Sequence, residues 1–315
     1  MKIRDSVFSI DRLHIKDCKE DFPCYVRSYF KMYISFLNRE NVSPTTIEQV
    51  IYFAKNINNC LLEYYTGQHN SANFYFLEAM RCIDYQELLR PLYEKTFYRA
   101  RINDTGVFSK EEMFHIPFEK RYLVSTQRYS YPGLPCLYLA SSVDLCCEEL
   151  NCYDGGLNIA SIKREADKKI FILDLFFFDS YDFQHLSLKK FERFVRLWPL
   201  VACCSFVYDA SDEMKFRPDY ILPRLLLEYV IDKKAECNLQ GIDMEINGIR
   251  YHSVKTDFWS NNKNAGKAAS SNYVFPALSV AKSGVCSILN RYFTVQQVLL
   301  LKQLKRNDSD HTAQI

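Results

Sequence analysis

Glycine is scarce, at nine of 315 residues, and none of the nine sits in a phosphate-cradling run. No GxGxxG follows an apolar segment and no GxxxxGK occurs, so dinucleotide-fold enzymes, kinases and P-loop NTPases are poor fits. HExxH and GxSxG are missing as well, which argues against zinc hydrolases and esterases with a nucleophile elbow. No apolar run approaches the roughly 20 residues of a membrane helix. The opening MKIRDSVFSIDRLHIKDC is charged throughout and has no signal-peptide core, so the expectation is a cytoplasmic protein with no membrane partner. The net charge is only +2, from 40 Lys and Arg against 38 Asp and Glu. That gives no broad attraction to nucleic acid, and no direct nucleic-acid partner is expected. There are twelve cysteines but no CxxC pair, and Cys146-Cys147 and Cys203-Cys204 lie in apolar runs. Buried free thiols are expected rather than disulfides or zinc. His14 and His69 are isolated. His115 has no second ligand at metal spacing, so a packing or hydrogen-bonding role is expected and no metal.

Aromatics are plentiful, with 22 Tyr and 23 Phe in a chain that is 48% hydrophobic and 25% charged. That is globular composition, enough for one large domain or two ordinary ones. Residues 1–92 read as mostly helical. The run from Tyr25 to Leu37 is too apolar for an exposed helix and fits a buried one. Ser43-Pro44 caps and opens a second helix whose apolar face carries Val50, Ala54, Ile57 and Leu61, with Gly67 stopping it. Asn73 to Leu89 reads as a third, with Phe76, Ala79, Met80, Ile83 and Leu88 inward. This part shows no catalytic constellation; it can serve as a scaffold, a dimerisation unit or a lid over a site elsewhere.

The texture changes at Pro91. Phe97 to Ala100 reads as a strand, Ser109 to Glu112 as a capped helical turn, and Leu137 to Ala140 as a strand. Ser141-Ser142 caps a following helix that carries Asp144, Glu148 and Glu149. Ile159 to Ile162 is a short strand, and Lys163 to Lys169 a charged hairpin or loop. Ile170 to Phe178, almost wholly apolar, reads as a central strand in which Asp174 needs a partner. Leu186 to Leu200 is helical or irregular and ends at Trp198-Pro199, Val201 to Phe206 is a short apolar segment, and 209–219 is a charged loop suited to a flap. Pro223 opens a helix through Ile231. Gly248 marks a turn, Ile249 to Val254 a strand delivering Ser253, and 259–272 a long polar loop. Val274 begins another strand, and Tyr292 to Leu304 forms a closing helix or edge element before a frayed tail.

The stretch from Phe97 to Leu150 concentrates the chemistry. Arginines alternate with aromatics, a Pro132-Gly133-Leu134-Pro135 turn interrupts them, and two glutamates follow. Arg99, Arg101, Arg121 and Arg128 can hold phosphate or carboxylate through planar forks. Tyr98, Tyr122 and Tyr129 can stack on a flat ring. Glu148 or Glu149 can face a developing positive charge, but one helix cannot turn both into the same groove. The bland alternative is a solvated sheet edge on which the glutamates pair with the arginines.

The segment from Arg128 to Ser142, RYSYPGLPCLYLASS, resembles the RES domain, named for an Arg, a Glu and a Ser. It matches an Arg-aromatic-Asn-x-x-Gly-x-Pro-x-x-Tyr pattern followed by a small-residue pair and a helix ending in Glu. Ser130 stands where many members have Asn, and no glycine pair precedes Arg128. The family's early arginine falls on Arg99, its glutamate on Glu149 with Glu148 in reserve, and its serine on Ser253 within Gly248-Ile249-Arg250-Tyr251-His252-Ser253-Val254. The resemblance spans about residues 93–280 and implies an α+β fold like that of ADP-ribosyltransferases, with a split antiparallel sheet preceded by a helical domain. The expected division is a helical domain at 1–92 and a catalytic domain at 93–315.

It further implies an NAD-consuming enzyme of a toxin–antitoxin system that cleaves the nicotinamide–ribose bond as a glycohydrolase or phosphorylase. A protein ADP-ribosyltransferase and a non-enzymatic nucleotide- or partner-binding protein are the alternatives. In this reading Glu149, Arg99 and Ser253 form the catalytic set. Arg128, Tyr129, Tyr138 and Tyr98 bind substrate, with Arg121 in reserve, and Ser253 bonds the substrate without acting as a nucleophile. NAD is the substrate rather than a resident cofactor. A cognate antitoxin and a second copy of the chain are the expected partners.

Overall fold

The computed structural model describes residues 7–8, 13–15, 21–103, 106–153, 156–165, 169–176, 186–208, 216–240, 246–255 and 271–304, with backbone alone at 237–240 and 246. The predicted flap up to residue 215, the polar loop up to residue 270 and the tail from 305 lie outside these residues.

After a two-residue strand β1 (His14–Ile15), three helices open the chain: α1 (Phe22–Arg39), α2 (Pro44–Tyr65) and α3 (His69–Met80). Asp21 caps α1 by accepting from the Cys24 amide at 2.9 Å, and Ser43 caps α2 through the Thr46 amide. Each has Pro in its first turn, where the missing N–H costs no internal hydrogen bond. The third helix is shorter than predicted. Ile83 and Leu88 are buried as expected, but Asp84 accepts from the Gln86 amide at 3.0 Å and turns the chain into a 3-10 turn. The chain then enters β2 (Leu89–Pro91).

The remaining elements are β3 (Thr96–Ile102), β4 (Cys136–Ala140), α4 (Val143–Leu150), β5 (Leu157–Arg164), β6 (Phe171–Asp174), α5 (Leu188–Ser205), β7 (Val207–Tyr208), α6 (Ile221–Gln240), β8 (Ile246–His252), β9 (Ser271–Pro276), α7 (Ser287–Tyr292) and β10 (Phe293–Leu300). Eight strands form one sheet in the order β10-β5-β3-β4-β9-β8-β6-β2, and β1 pairs with β7 apart from it. The fold is α+β with N-terminal helices, but the sheet is mixed rather than antiparallel. Strands β6 and β8 run parallel, because the α5 and α6 crossover between them is long enough to return the chain in the same direction. Strand β6 is four residues long and next to the edge, not central. Its apolarity reflects cover on both faces, with Leu173 toward the helices and Ile172 away from them. Asp174 is buried and faces Arg250 at 3.7 Å.

Other expectations need correction. Helix α5 runs through Pro199 to Ser205 instead of stopping at Trp198-Pro199. Pro199 cannot donate to the Val195 carbonyl, and the Tyr33 hydroxyl of α1 donates to it instead, at 2.7 Å. Gly248 is not a turn but lies within β8. A Cβ there would sit 2.4 Å from the Val274 carbonyl oxygen and 2.6 Å from the Phe275 ring, so the close strand approach requires glycine. Strand β9 ends near Pro276 instead of beginning at Val274. The closing element is the edge strand β10.

Helices α1–α3, α5 and α6 share one buried cluster with the sheet face bearing Leu173, Ile249 and Val274. Phe8 is central to it, with ring centroids 4.8 Å from Phe194, 5.3 Å from Trp198 and 5.9 Å from Tyr33. The opposite sheet face packs Phe97, Leu137, Tyr273 and Phe275 against Met113 and Phe118. The expected division at residue 92 falls between β2 and β3, two strands of the same sheet.

Candidate active site

The sheet opens between β3 and β4. Strand β3 pairs with β5 along its whole length, from Thr96–Lys163 to Ile102–Leu157. It meets β4 only where Tyr98 faces Ala140. In place of a ladder bond, the Arg99 guanidinium donates to the Tyr138 carbonyl at 3.0 Å. A cavity of about 580 Å³ lies at this opening, a size ordinary for small-ligand sites. Among the described residues its lining carries four cationic side chains, Arg99, Arg101, Arg128 and Lys255, and one carboxylate, Glu149.

Glu149 is placed by three elements. Ser142 caps α4 by accepting from the Leu145 amide at 3.1 Å, and the helix ends at Asn151 in the left-handed region with φ 47°. That sets Glu149 in the last turn, half-buried. Register in the β8–β9 pair, Tyr251 opposite Asn272 and His252 opposite Ser271, brings Asn272 and Ser253 to the same end. Ser253 Oγ and Asn272 Nδ2 both donate to Glu149 Oε1, each at 2.6 Å. Oε2 receives no hydrogen bond among the described residues. The Lys255 ammonium bonds the Glu149 carbonyl. One carboxylate oxygen is therefore fixed and the other is not. Ser253 is 0% exposed and is absent from the cavity lining; its hydroxyl is spent on Glu149.

Glu148 points elsewhere, as helix geometry requires, and does not line the cavity. One of its oxygens is buried without a partner. Burial first, then Asp144 and Glu149, hold its carboxyl above the usual range.

The arginines divide into two kinds. Arg99 lines the cavity with its Nε buried and unpartnered. Burial first and Arg101 second push its pKa down to about 10, which leaves it charged at neutral pH. Arg128 also lines the cavity, but its guanidinium is already occupied. It donates to the Phe206 carbonyl at 2.8 Å and to Asp219 Oδ2 at 3.4 Å, and it lies over the Tyr220 ring. Arg121 is outside the cavity, donating to the carbonyls of Gly133 at 2.9 Å and Ser279 at 3.2 Å.

Tyr98 and Tyr138 line the cavity. Tyr129, predicted as a stacking wall, is 0% exposed. It sits one layer behind, 4.5 Å from the Tyr251 ring, and its carbonyl accepts from the Tyr138 hydroxyl. Tyr251 is the ring that reaches the cavity. Sequence reasoning missed Asn272, Lys255, Tyr251 and Tyr220 as lining residues. Asn272 ended a run read as loop, and the only signal for it was an extension of the Val274 strand by two residues.

Among the described residues no group of three or more His, Cys, Asp or Glu is placed to hold a metal, and no helix is long and apolar enough to cross a membrane. His115 is buried and accepts from the Cys286 amide at 2.7 Å, a packing role.

Against known proteins, the chain is 31% identical over 300 residues to "Putative toxin YopC" of Bacillus subtilis (strain 168). It is similar in part to a protein named as a toxin. The similarity covers 88% of this chain, more than residues 93–315 alone can supply, so it reaches into the helices before residue 93. It covers 65% of the relative, so this chain spans just under two thirds of that protein's length. No family model matches, and no solved structure matches.

Proposed function

We propose that the chain cleaves NAD at the nicotinamide–ribose bond, as a glycohydrolase or phosphorylase, in a toxin-like role. The observation that carries this is Glu149, a carboxylate pinned through one oxygen by Ser253 and Asn272 at a cavity whose other charged lining side chains, among the described residues, are cations. Nicotinamide leaves with the electron pair of the C–N bond, and positive charge develops on the ribose. The free Oε2 of Glu149 faces that charge, while Arg99 holds the diphosphate. Water or phosphate then adds to the ribose carbon and loses a proton. Tyr98, Tyr138 and Tyr251 supply flat walls for rings. The similarity to a toxin-named relative favours a toxin-like role over a housekeeping one, and an antitoxin protein is the partner that role calls for.

The test incubates the purified full chain with NAD, with and without phosphate, and weighs the products. ADP-ribose identifies the hydrolase, ADP-ribose phosphate the phosphorylase, and a mass increment on protein the transferase. Intact NAD after incubation with chain of native circular dichroism overturns the reading.

A further inference from the structure

The cavity's two arginines on β3 differ from its third. Arg99 and Arg101 are two positions apart, so they share one side of the strand, about 7 Å apart along it. Both line the cavity. Neither makes an ion pair with a carboxylate among the described residues. Each is held instead by a backbone carbonyl: Arg99 by Tyr138 at 3.0 Å, Arg101 by Glu112 at 2.7 Å. Arg101 is also stacked over the Phe108 ring, 4.5 Å from its centroid. The exposed Glu112 feels the Arg101 charge without forming an ion pair with it, and its Oε2 accepts from the Ser109 amide. Carbonyls and a ring fix direction, and no carboxylate among the described residues is in ion-pair contact with either guanidinium. Two like charges side by side in a partly buried cleft are costly, and the depressed pKa of Arg99 reflects part of that cost. An anion with two adjacent charged groups would relieve it. Arg128 differs: it does pair with a carboxylate, the buried Asp219 at 3.4 Å, which it shares with Arg217 at 3.0 Å.

We propose that Arg101 is the second anion-holding arginine of the cavity and that, with Arg99, it makes the site select a diphosphate over a monophosphate. The assignment rests on the NAD reading for its biological substrate but not for its chemistry. It displaces Arg128 from phosphate binding to holding the wall that Tyr220 and the end of α5 form.

Calorimetry of the full chain with ADP and with AMP tests it. The native chain is expected to bind ADP about tenfold or more tighter than AMP, in keeping with one added charge-assisted fork. Arg101→Gln is expected to remove most of that preference, by weakening ADP binding while AMP binding changes less than about twofold. Arg101→Lys should fall between, since it keeps charge and loses the fork. In NAD turnover, Arg101→Gln should raise KM with kcat little changed. Equal affinity of the native chain for ADP and AMP, or an undiminished ADP preference in Arg101→Gln at native circular dichroism, overturns the proposal. A preference for ADP that Arg101→Gln abolishes, in a chain that leaves NAD intact, would sustain this inference while the NAD-cleavage reading falls.

Discussion

The helical layer and the cavity treat polar groups in opposite ways. Deep in the layer, the Trp198 indole donates to the Tyr29 hydroxyl at 2.7 Å, Tyr29 donates to the Val7 carbonyl at 3.1 Å, and Tyr33 donates to Val195. These polar tips are satisfied within an aromatic cluster, as burial demands. At the cavity, Arg99 Nε is buried without a partner, Glu149 keeps one oxygen free, and Arg101 is aimed but not neutralised. Arg224 Nε and the Tyr273 hydroxyl are also buried without a hydrogen bond, but among the described residues Arg99 Nε is the one such atom that belongs to the cavity lining. The layer packs on one face of the sheet, and the unpartnered Arg99 Nε lies at the opening between β3 and β4.

The comparison can be broken most severely by removing the layer. Residues 93–315 expressed alone should be insoluble or lack a cooperative melt, because the faces of α5 and α6 would lose α1 and α2. A soluble fragment with a native-like melting transition would show that the two regions are separable. Next in size is Trp198→Ala, which should cost about 3–5 kcal/mol in urea unfolding while the surviving folded protein keeps its kcat. A fall in kcat in the folded fraction would mean that the layer also shapes the site.

Glu149→Gln reverses the pattern. Turnover of NAD should drop about 10²- to 10³-fold with the melting temperature near native, and Glu148→Gln should do less. Equal activity in Glu149→Gln and native chain removes Glu149 from the chemistry. The smallest effect expected is that of Tyr33→Phe, which leaves the Val195 carbonyl buried beside Pro199 without a donor. A loss of about 1–3 kcal/mol, with activity intact, is the outcome, read from the urea midpoint. No loss would mean that α5 finds another donor for that carbonyl.

What could be read in the sequence was local. Ser43-Pro44 opens α2, Ser142 caps α4, and Ser109 and Glu112 form a reciprocal cap, with each backbone amide bonded to the other's side chain. The need of Asp174 for a partner and the divergence of Glu148 from Glu149 were also legible, since both follow from burial and helix period. What escaped depends on distant chain. Pro199 looks like a helix end unless Tyr33 is known to lie beside it. Gly248 looks like a turn unless β9 is known to press on it. The contact of Arg128 with Asp219, 91 residues on, has no local signal. Asn272 became visible only through its register with Tyr251.

The donor that Tyr33 lends to α5 also has a bearing on how the chain assembles. During synthesis α1 emerges long before α5, yet the Val195 carbonyl that Pro199 leaves without its helical donor gains the Tyr33 hydroxyl only when the two are side by side. The far turn of α5, from Pro199 to Ser205, supplies the Cys204 carbonyl that Arg128 meets at 3.4 Å, and the Phe206 carbonyl follows directly after it. One wall of the cavity therefore takes shape only after the first and middle thirds of the chain have met. Amides 200–205 should acquire protection from hydrogen exchange together with those of α1, and not before.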